Sequence, residues 1–317
     1  MTARRALITG ITGQDGSYLA ELLLAKGYEV HGFLRPDEDF SQLSADPSPG
    51  LHIHKGLIDT YADVRKAVES ARPEECYHLA AQSFVLGEEF TTMRTNSVGT
   101  HHVLAAIREH ARECRLFLAG SSEMFGDVDH SPQTEATPMR PSSIYGISKF
   151  SAFLLLRHYR EAYGMHASCG ILYNHESPRR GKQFVTRKIT RAAARIQAGI
   201  EKTLRLGNLD AVRDWGDARD YVEAMWLMLQ QPKSDDYVIA TGQLRTVRQF
   251  LDAAFAAAGI PWEECVVVDP QFYRPAERYP LSGDASKARQ RLGWAPKRDF
   301  EALVTEMVKQ DTACLTD

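Results

Sequence analysis

The sequence predicts an α/β fold in which a doubly wound parallel sheet is joined to a smaller α/β lobe. Two observations carry this prediction: short apolar segments alternate with amphipathic helical segments, and a glycine-rich turn separates the first such pair. This alternation is typical of parallel sheets with helices on both faces. The length of 317 residues favours two lobes, because single hydrophobic cores stop growing near about 250–300 residues.

The first elements form a βαβ unit. Arg5–Thr9 is a short apolar strand that ends at a glycine, and leucines recur at helical spacing in Ser17–Lys26. Gly27 is a suitable helix end, and Tyr28–Leu34 is the second strand. Parallel strands joined in this way need a right-handed crossover.

The alternation continues beyond this unit. Further helices are predicted at Asp63–Ala71, Asn96–His110, Ser143–Tyr163, Thr186–Ala198 and Tyr221–Leu229, and further strands at Glu75–Leu79, Leu116–Ala119 and Ala167–Leu172. Arg35–His54 is rich in proline, glycine and aspartate, so it is predicted to be a loop.

The regular alternation of apolar strands and helices gives way to loop-rich segments after residue 173. Gly207–Asp220 and Pro261–Ala285 are loop-rich. We therefore expect residues 1–173 to form the domain that holds the parallel sheet. Residues 174–317 should mainly form a discontinuous second lobe over the strand ends, where sheets of this class bind ligands. Segments expected to return to the first domain lie near 214–242 and 280–290.

Composition excludes several classes of function. The chain has 38 Lys and Arg against 41 Asp and Glu, a formal net charge of −3, so no partnership with nucleic acid or an acidic membrane is expected. No segment approaches the ~18 apolar residues of a membrane span. The five cysteines are scattered and, with no secretory signal, predict a cytoplasmic protein. The eleven histidines show no metal-ligand spacing, so no metal is expected.

The turn after the first strand predicts dinucleotide binding by a Rossmann-type domain. Residues 10–16 read Gly-Ile-Thr-Gly-Gln-Asp-Gly. Gly10 makes the tight turn, Gly13 lets the backbone approach a pyrophosphate, and Gly16 lets the helix pack on the strand. The helix N-terminus attracts the phosphates. The alternative is a glycine-rich turn without a ligand.

The end of the second strand distinguishes NAD from NADP. An acidic residue there binds the ribose hydroxyls of NAD, whereas an arginine pairs with the 2′-phosphate of NADP. The strand ends Phe33-Leu34-Arg35, with no carboxylate before Asp37, so the sequence favours NADP. The alternative is that Arg35 is a solvated loop residue.

Four residues form a candidate catalytic group. Tyr145 and Lys149 are four residues apart on one predicted helix and so share a face. A tyrosine with its ordinary pKa of about 10 is a poor base, and a neighbouring ammonium lowers that pKa. Ser121 and Glu123 follow the strand Leu116–Ala119, which places a hydroxyl and a carboxylate in the ligand crevice.

Together, the glycine loop, the strand-end serine and the Tyr-x-x-x-Lys pair resemble the extended short-chain dehydrogenase/reductase superfamily. Longer blocks are similar to one of its families, the GDP-mannose 4,6-dehydratases, over nearly the whole chain. These blocks are Ile8–Leu19, Ala80–Ser83, Asn174–Gly181, Phe184–Lys188, Gly207–Asp210, Arg213–Gly216 and Arg274–Glu277.

The resemblance implies a role for each candidate catalytic residue. Tyr145 removes the proton of the sugar 4-hydroxyl, Lys149 tunes it, and Ser121 contacts the same hydroxyl. NADP⁺ takes hydride from C4, Glu123 removes the C5 proton and protonates the departing 6-hydroxyl, and the hydride returns to C6. A plain reductase or epimerase needs the tyrosine but not Glu123, so Glu123 discriminates between these reactions.

The resemblance also implies two sets of binding residues. Those for NADP are Gly10, Thr12, Gly13, Gln14, Asp15, Gly16, Arg35, Leu79, Ala80, Ala81, Tyr145, Lys149, Leu172, Asn174, His175 and Arg180. Those for a GDP-linked sugar are Ser83, Glu123, Asn174, Val185, Lys188, Gly207, Arg213, Arg274 and Glu277.

Four positions depart from the family pattern. Ser121 replaces a threonine, Leu57 stands where an aspartate near adenine is usual, His78 replaces a common asparagine, and Pro36 stands where a second arginine is usual. The loop that follows, which helps to build a tetramer in the family, is short. A homodimer through the helices predicted at 96–110 and 143–163 is therefore expected, with a tetramer as the alternative.

Three other functions remain open. A dehydratase of another GDP-sugar, such as a GDP-heptose, would explain the departures by a different sugar pocket. A 4-keto-sugar reductase or epimerase would leave Glu123 idle. A protein that senses NADP without chemistry is disfavoured, because both Tyr145 and Lys149 are present.

Overall fold

The computed structural model describes residues 3–39, 49–85, 87–272 and 280–315. Its strands are β1 (Arg5–Thr9), β2 (Glu29–Leu34), β3 (Leu51–Lys55), β4 (Glu75–His78), β5 (Arg115–Ala119), β6 (Ala167–Leu172), β7 (Asn174–Glu176), β8 (Leu204–Leu206), β9 (Val212–Asp217), β10 (Asp236–Ile239), β11 (Leu244–Thr246) and β12 (Val266–Val268). Its helices are α1 (Gln14–Ala25), α2 (Tyr61–Ala71), α3 (Glu89–Met93), α4 (Gly99–His110), α5 (Ile144–Tyr163), α6 (Val185–Gln197), α7 (Ala218–Gln230), α8 (Val247–Ala258), α9 (Ser286–Leu292) and α10 (Phe300–Ala313). A π-helical turn, Arg94–Val98, joins α3 to α4, and short 3₁₀ turns lie at Ser122–Met124 and Pro270–Phe272.

The central sheet confirms the predicted fold class. Within the described ranges it has seven strands in the order β10-β6-β5-β4-β1-β2-β3, and every neighbouring pair is parallel. The strand order reverses at β1, between β2 and β4. The carboxyl ends of β1 and β4 therefore open the crevice in which such sheets bind ligands.

Alternating side chains of the strands build a core on each face of the sheet. Leu7 packs on one face in a cluster with Leu104 of α4 and Leu156 of α5. Its neighbour Ile8 packs on the other face with Leu19 of α1 and Met225 of α7. This alternation follows from the two-residue period of a strand, and it explains why β1 is a continuous apolar run.

A third apolar cluster lies among α6, α8 and α10. It contains Ile189, Trp215, Phe250 and Val304, and it is accompanied by a three-stranded sheet, β11-β9-β7, and a two-stranded sheet, β12-β8. The division at residue 173 stays a prediction. The strand β10 and the helix α7 come from beyond that residue and pack with the central sheet.

The loop predicted at Arg35–His54 is wrong at its carboxyl end, and residues 40–48 lie outside the described residues. Leu51–Lys55 forms β3, the edge strand next to β2. An edge strand is exposed on several sides, so its polar residues, such as His52 and His54, do not give the apolar run expected of a buried strand.

Two further loop predictions contain strands. Val212–Asp217 within the predicted loop 207–220 is β9, and its four last residues are buried. Asp214 is buried because its carboxylate accepts hydrogen bonds from the backbone N–H groups of Thr241 (3.0 Å) and Gly242 (2.8 Å). A strand that contains buried carboxylates has a polar sequence, so its pattern is the one expected of a loop. Val266–Val268 within the predicted loop 261–285 is β12.

Across the residues that the structure describes, none of the helices has the length and apolar character needed to traverse a bilayer.

Candidate active site

The glycine loop joins β1 to α1 at the crevice. Gly10 has a φ of +73°, and a Cβ at this position would lie 2.8 Å from the backbone nitrogen of Ala80. At Gly16 a Cβ would lie 2.3 Å from the carbonyl oxygen of Gly10. Because only glycine fits at both positions, the loop forms a backbone cradle at the helix N-terminus, and this shape fits a dinucleotide pyrophosphate.

The wall opposite the glycine loop follows β4. The Thr9 hydroxyl accepts hydrogen bonds from the backbone N–H groups of Leu79 and Ala80, both at 3.2 Å. The ring of His78 bridges the hydroxyls of Thr9 (2.7 Å) and Thr100 (3.0 Å). Burial lowers the pKa of His78 to about 3, so the ring is neutral. His78 therefore holds the crevice wall in place from behind.

Arg35 is exposed and paired with carboxylates. Its Nε lies 3.1 Å from Glu38 and 3.4 Å from Asp37. Glu38 also accepts a hydrogen bond of 2.8 Å from the hydroxyl of Thr12 in the glycine loop. Glu38 lies three residues beyond Arg35, and the turn after β2 brings its carboxylate back to the cofactor loop. No spacing in the sequence identifies this contact.

The segment that begins at Asn174 covers the start of α1. The Gln14 side-chain amide donates to the carbonyl oxygen of His175 (3.0 Å) and accepts from the hydroxyl of Ser177 (2.8 Å). The Asp15 carboxylate lies 2.8 Å from His175 Nε2. The side chains of Gln14 and Asp15 are thus used within the protein. Their predicted contact with a cofactor can involve only backbone atoms or a rearranged side chain.

Asp15 and His175 form a buried ion pair. Burial opposes charge on His175, but the Asp15 carboxylate outweighs it and the pKa of His175 lies above its ordinary value. Burial also opposes ionisation of Asp15, yet the charge and hydrogen bond of His175 bring the pKa of Asp15 below its ordinary value. The Nδ1–H of His175 donates to the Tyr173 carbonyl oxygen (2.8 Å), and its ring stacks on Tyr221.

Four more residues predicted to bind the cofactor lie in this segment, next to it or on the crevice wall. Leu172 is buried at the end of β6, and Asn174 opens β7, where it pairs with Trp215 of β9. The guanidinium of Arg180 lies over the ring of Phe184, 3.7 Å from its centroid. The half-buried Ala81 follows Ala80 along the crevice wall.

Ser121 and Glu123 lie at the carboxyl end of β5. Ser121 caps the short 3₁₀ turn that follows, and its hydroxyl accepts a hydrogen bond of 3.2 Å from the Glu123 N–H. The start of α5 packs directly against this turn, because a Cβ on Gly146 would lie 2.5 Å from the Glu123 carbonyl oxygen. This glycine brings the residues after β5 next to Tyr145.

Tyr145 lies in the first turn of α5 and is buried. Burial raises the pKa of its phenol to about 12, with a further increase from the charge of Glu123, while a hydrogen bond with Ser121 and the charge of Arg180 act in the opposite direction. Ser121 and Glu123 therefore both act on the phenol. The direction of the shift is opposite to the lowering that the sequence argument expected from Lys149.

Lys149 lies one turn further along α5 and is also buried. Its ammonium donates to the carbonyl oxygen of Ala119 (2.9 Å) and lies 5.9 Å from the centroid of the Tyr145 ring. Burial lowers the pKa of Lys149 to about 8. In this arrangement the ammonium is anchored to the strand end and poorly placed to act on the phenol directly.

The residues predicted to bind the sugar nucleotide are spread over both parts of the chain. Ser83 is exposed beyond the crevice wall, and Val185 and Lys188 are exposed on the first two turns of α6. The Lys188 ammonium lies 5.7 Å from the centroid of the Phe272 ring. At Gly207 a Cβ would lie 2.4 Å from the Phe272 carbonyl oxygen.

Arg213 lies in β9, and its guanidinium donates to the Val212 carbonyl oxygen (2.7 Å). Arg274 and Glu277 lie outside the described residues. The chain reaches them directly after Phe272, which contacts both Lys188 and Gly207.

Comparison with known proteins decides the family. The family model described as "GDP-mannose 4,6 dehydratase" matches residues 7–307. The chain belongs to the GDP-mannose 4,6-dehydratase family. It is 49% identical to "GDP-mannose 4,6 dehydratase 1" of Arabidopsis thaliana, over 96% of this chain and 89% of the relative. It is 45% identical to "GDP-mannose 4,6-dehydratase" of Sinorhizobium fredii (strain HH103), over 99% of both chains.

Membership of the GDP-mannose 4,6-dehydratase family agrees with similarity to solved structures. The structure of UDP-glucose 4-epimerase from Thermus thermophilus, in complex with NAD, matches with a TM-score of 0.85 and 26% identity, over 97% of this chain and 98% of that one. The resemblance stated from the sequence blocks is therefore confirmed at the level of the family.

Proposed function

We propose that the protein is a GDP-mannose 4,6-dehydratase that converts GDP-mannose into GDP-4-keto-6-deoxymannose. Family membership supports the substrate class, and one structural observation carries the reaction type. Glu123 lies against the helix turn of Tyr145 and its charge acts on that phenol. An oxidation at C4 alone needs no carboxylate there, whereas elimination of water across C5 and C6 needs an acid and base beside C5.

Each proton in this reaction has a residue to carry it. The Tyr145 phenolate accepts the proton of the 4-hydroxyl, and the Ser121 hydroxyl orients that oxygen. The resulting ketone acidifies the C5 hydrogen, which Glu123 removes before it protonates the departing 6-hydroxyl. A bound nicotinamide cofactor would supply the hydride acceptor for C4 and the hydride donor for C6. Once C6 has gained its hydride, C5 has to regain a proton. The protonated Tyr145 phenol holds the one proton that remains, and it returns this proton to C5 directly or by exchange with solvent, so that the reaction balances.

Tyr145 must lose its phenol proton before it can act as a base, and the residues around it indicate how the phenolate is stabilised. With its pKa raised to about 12, the phenol is protonated at neutral pH. Two cations of this chain can offset the negative charge of the phenolate: the guanidinium of Arg180, whose charge already acts on Tyr145, and the ammonium of Lys149, whose pKa is lowered to about 8. Rotation of Lys149 away from the Ala119 carbonyl oxygen would bring it toward the phenol, and we propose this movement as its tuning role.

We propose NADP as the cofactor. The support is Arg35, which follows β2 and is free to turn its exposed guanidinium toward a 2′-phosphate by giving up two solvent-exposed ion pairs. Such pairs contribute about 0–1 kcal/mol each, so the exchange costs little.

We propose that the GDP moiety is held over α6. Lys188 and Gly207 both lie near Phe272, and Val185 lies three residues before Lys188 at the start of α6. The chain continues from Phe272 to Arg274 and Glu277. An exposed ammonium beside a close backbone approach suits a diphosphate.

We propose a cytoplasmic homodimer formed through α4 and α5. Large apolar side chains are exposed on α3, the π-helical turn and α5, and Phe90 is the most exposed at 80%. Val98, Ile147 and Leu154 are exposed as well, and Ile147 and Leu154 share a face of α5 because they are seven residues apart. A second copy that covers this surface would bury all of them. All five cysteines are free, in keeping with a reducing compartment.

The function is tested by incubating the protein and cofactor with a panel of GDP-sugars and weighing the products. The expected result is loss of one water from GDP-mannose, with no net consumption of the cofactor. Dehydration of a GDP-heptose alone would replace GDP-mannose as the substrate. Stoichiometric reduction or a change of stereochemistry without loss of water would favour a reductase or epimerase.

A further inference from the structure

Four polar side chains form a cluster on one face of β2 and β3, away from the crevice. The strand β2 contributes Glu29 and His31, and β3 contributes His52 and His54. The two strands are parallel, with His31 opposite His52 and Phe33 opposite His54. Glu29, His31 and His52 lie toward the amino ends of their strands, whereas the glycine loop follows the carboxyl end of β1. The reaction proposed above uses none of the four residues.

Three of these side chains converge as metal ligands do. One ligand atom from each of Glu29, His31 and His52 lies within 4.8 Å of the other two. The Glu29 carboxylate is 3.0 Å from His52 Nε2 and 3.4 Å from His31 Nε2. Tetrahedral zinc with bonds of about 2.0–2.2 Å separates its ligand atoms by roughly 3.4 Å. Small side-chain rotations therefore suffice to enclose an ion.

The buried ring of His31 supplies the strongest independent indication of a metal site. Its side chain is 7% exposed, and its Nε2 is buried without a hydrogen-bond partner in the described part of the chain. The other ring nitrogen, Nδ1, lies 3.0 Å from His54 Nε2. Donation from Nδ1–H to His54 leaves a lone pair on Nε2, which lies 3.4 Å from the Glu29 carboxylate. The His31 and His52 rings stack with their centroids 4.8 Å apart, so the His52 ring has to rotate for its lone pair to reach the same ion. Histidines that bind metals usually donate their second N–H in this way.

The cluster combines the ligand types that a divalent metal ion prefers. The carboxylate of Glu29 supplies a negative charge beside the imidazole rings of His31 and His52. Imidazole binds a metal ion through the lone pair of its neutral form.

We propose that Glu29, His31 and His52 bind a zinc ion, with water as the fourth ligand and His54 as a positioning residue. Glu29 and His52 have side chains that are 36% and 50% exposed, which leaves a path for the ion from solvent. The ion would fasten the edge strand β3 to β2, since its ligands come from both strands. A set of two imidazoles and one carboxylate suits zinc and the neighbouring divalent transition metals.

The proposal is tested by calorimetric titration of Zn²⁺ into tag-free, chelator-stripped protein. All proteins carry Cys314→Ser, because this exposed thiol could bind zinc by itself. The parent should bind one ion, and His52→Asn and Glu29→Gln should each weaken binding at least tenfold. His130→Gln, which changes an exposed histidine elsewhere, should leave the affinity unchanged.

Cobalt provides a second readout. Co²⁺ bound to the parent should give the visible absorption bands of a four-coordinate site, and His52→Asn should abolish them. Turnover of a GDP-sugar, measured with chelator present, should be the same in the parent and in His52→Asn, so failure of the dehydratase proposal would be seen separately. Absence of stoichiometric binding, or equal affinity in the parent, His52→Asn and Glu29→Gln, would overturn the zinc site.

Discussion

The carboxylate of Asp15 lies 2.8 Å from Nε2 of His175, and this ion pair joins the first helix of the sheet domain to β7. We expect Asp15→Asn to lower the free energy of unfolding by about 3 kcal/mol near pH 5.5, because it leaves a buried charge without its partner. The stabilisation by Asp15, whose pKa is lowered from 3.8, is lost as pH falls through its folded pKa. The stabilisation by His175, whose pKa is raised from 6.5, is lost as pH rises through its folded pKa.

The loss of unfolding free energy caused by Asp15→Asn should therefore be greatest between pH 3.8 and pH 6.5, the ordinary pKa values of the two groups. It should become smaller at alkaline pH. Urea unfolding of both proteins at pH 5.5 and pH 9 measures it. An equal cost at both values of pH would contradict the ion pair.

We expect the buried ammonium of Lys149 to lower the stability of the folded protein while it supports turnover. Its pKa of about 8 lies below the 10.5 of an unfolded lysine, so the unfolded chain binds more protons between these values and stability rises with pH there. Lys149→Met should raise the unfolding free energy by about 2 kcal/mol at pH 7, after allowance for the lost hydrogen bond to Ala119. The gain should fall off as pH rises from 8 to 10.5, and turnover should fall strongly.

Thermal or urea unfolding across this pH range checks the prediction for Lys149. Lys66→Met is the matched control, because Lys66 is exposed on α2 and its replacement should change stability by less than about 0.5 kcal/mol at any pH. A destabilised Lys149→Met protein at pH 7 would argue against a burial cost at this lysine.

Glu123 should control the elimination step. We expect Glu123→Gln to lower turnover by about 10²–10⁴-fold, since the amide can neither remove the C5 proton nor protonate the 6-hydroxyl. The measurement is deuterium incorporation at C5 and loss of water in D₂O, followed by mass spectrometry. Glu113→Gln, at an exposed position after α4, serves as the control and should be unaffected. Near-normal turnover of Glu123→Gln would indicate a reductase or epimerase.

Arg35 and Glu38 should have opposite effects on cofactor choice. Arg35→Ala should weaken NADP binding roughly 10–150-fold and leave NAD unchanged, because a hydrogen bond to a charged group contributes about 1.5–3 kcal/mol. Glu38→Gln should strengthen NADP relative to NAD, since a carboxylate 2.8 Å from the Thr12 hydroxyl repels a nearby phosphate. Fluorescence titration of both cofactors provides the ratio. No change of that ratio in either variant would exclude a 2′-phosphate at this position.

The sequence predicts the parallel sheet well because local and long-range signals agree there. The run Arg5–Thr9, the glycine loop and the leucines of α1 each favour the same βαβ unit. The sequence fails at β3 and β9 for a physical reason. His52 lies on an exposed edge, and Asp214 is buried through hydrogen bonds to Thr241 and Gly242 that no local pattern reveals.

The same distinction applies to the candidate site. Tyr145 and Lys149 could be paired from their spacing on a helix, and Glu123 from its place after a strand. The contact between Asp15 and His175 spans 160 residues, and Glu38 returns to Thr12 through a turn. The raised pKa of Tyr145 and the cluster of Glu29, His31 and His52 also depend on burial and strand register, which no spacing in the sequence encodes.

The position of β10 has a practical consequence for anyone who wishes to divide this protein. A fragment that stops at residue 173 would lose the outermost strand beside β6 and, with α7, the Met225 side of the core. In such a fragment β6 would become an unpaired edge strand, which promotes aggregation. Fragments divided at residue 173 should therefore fail to accumulate as soluble protein. Linkers or fusions are better tolerated at exposed loop residues such as Glu263 and Glu264.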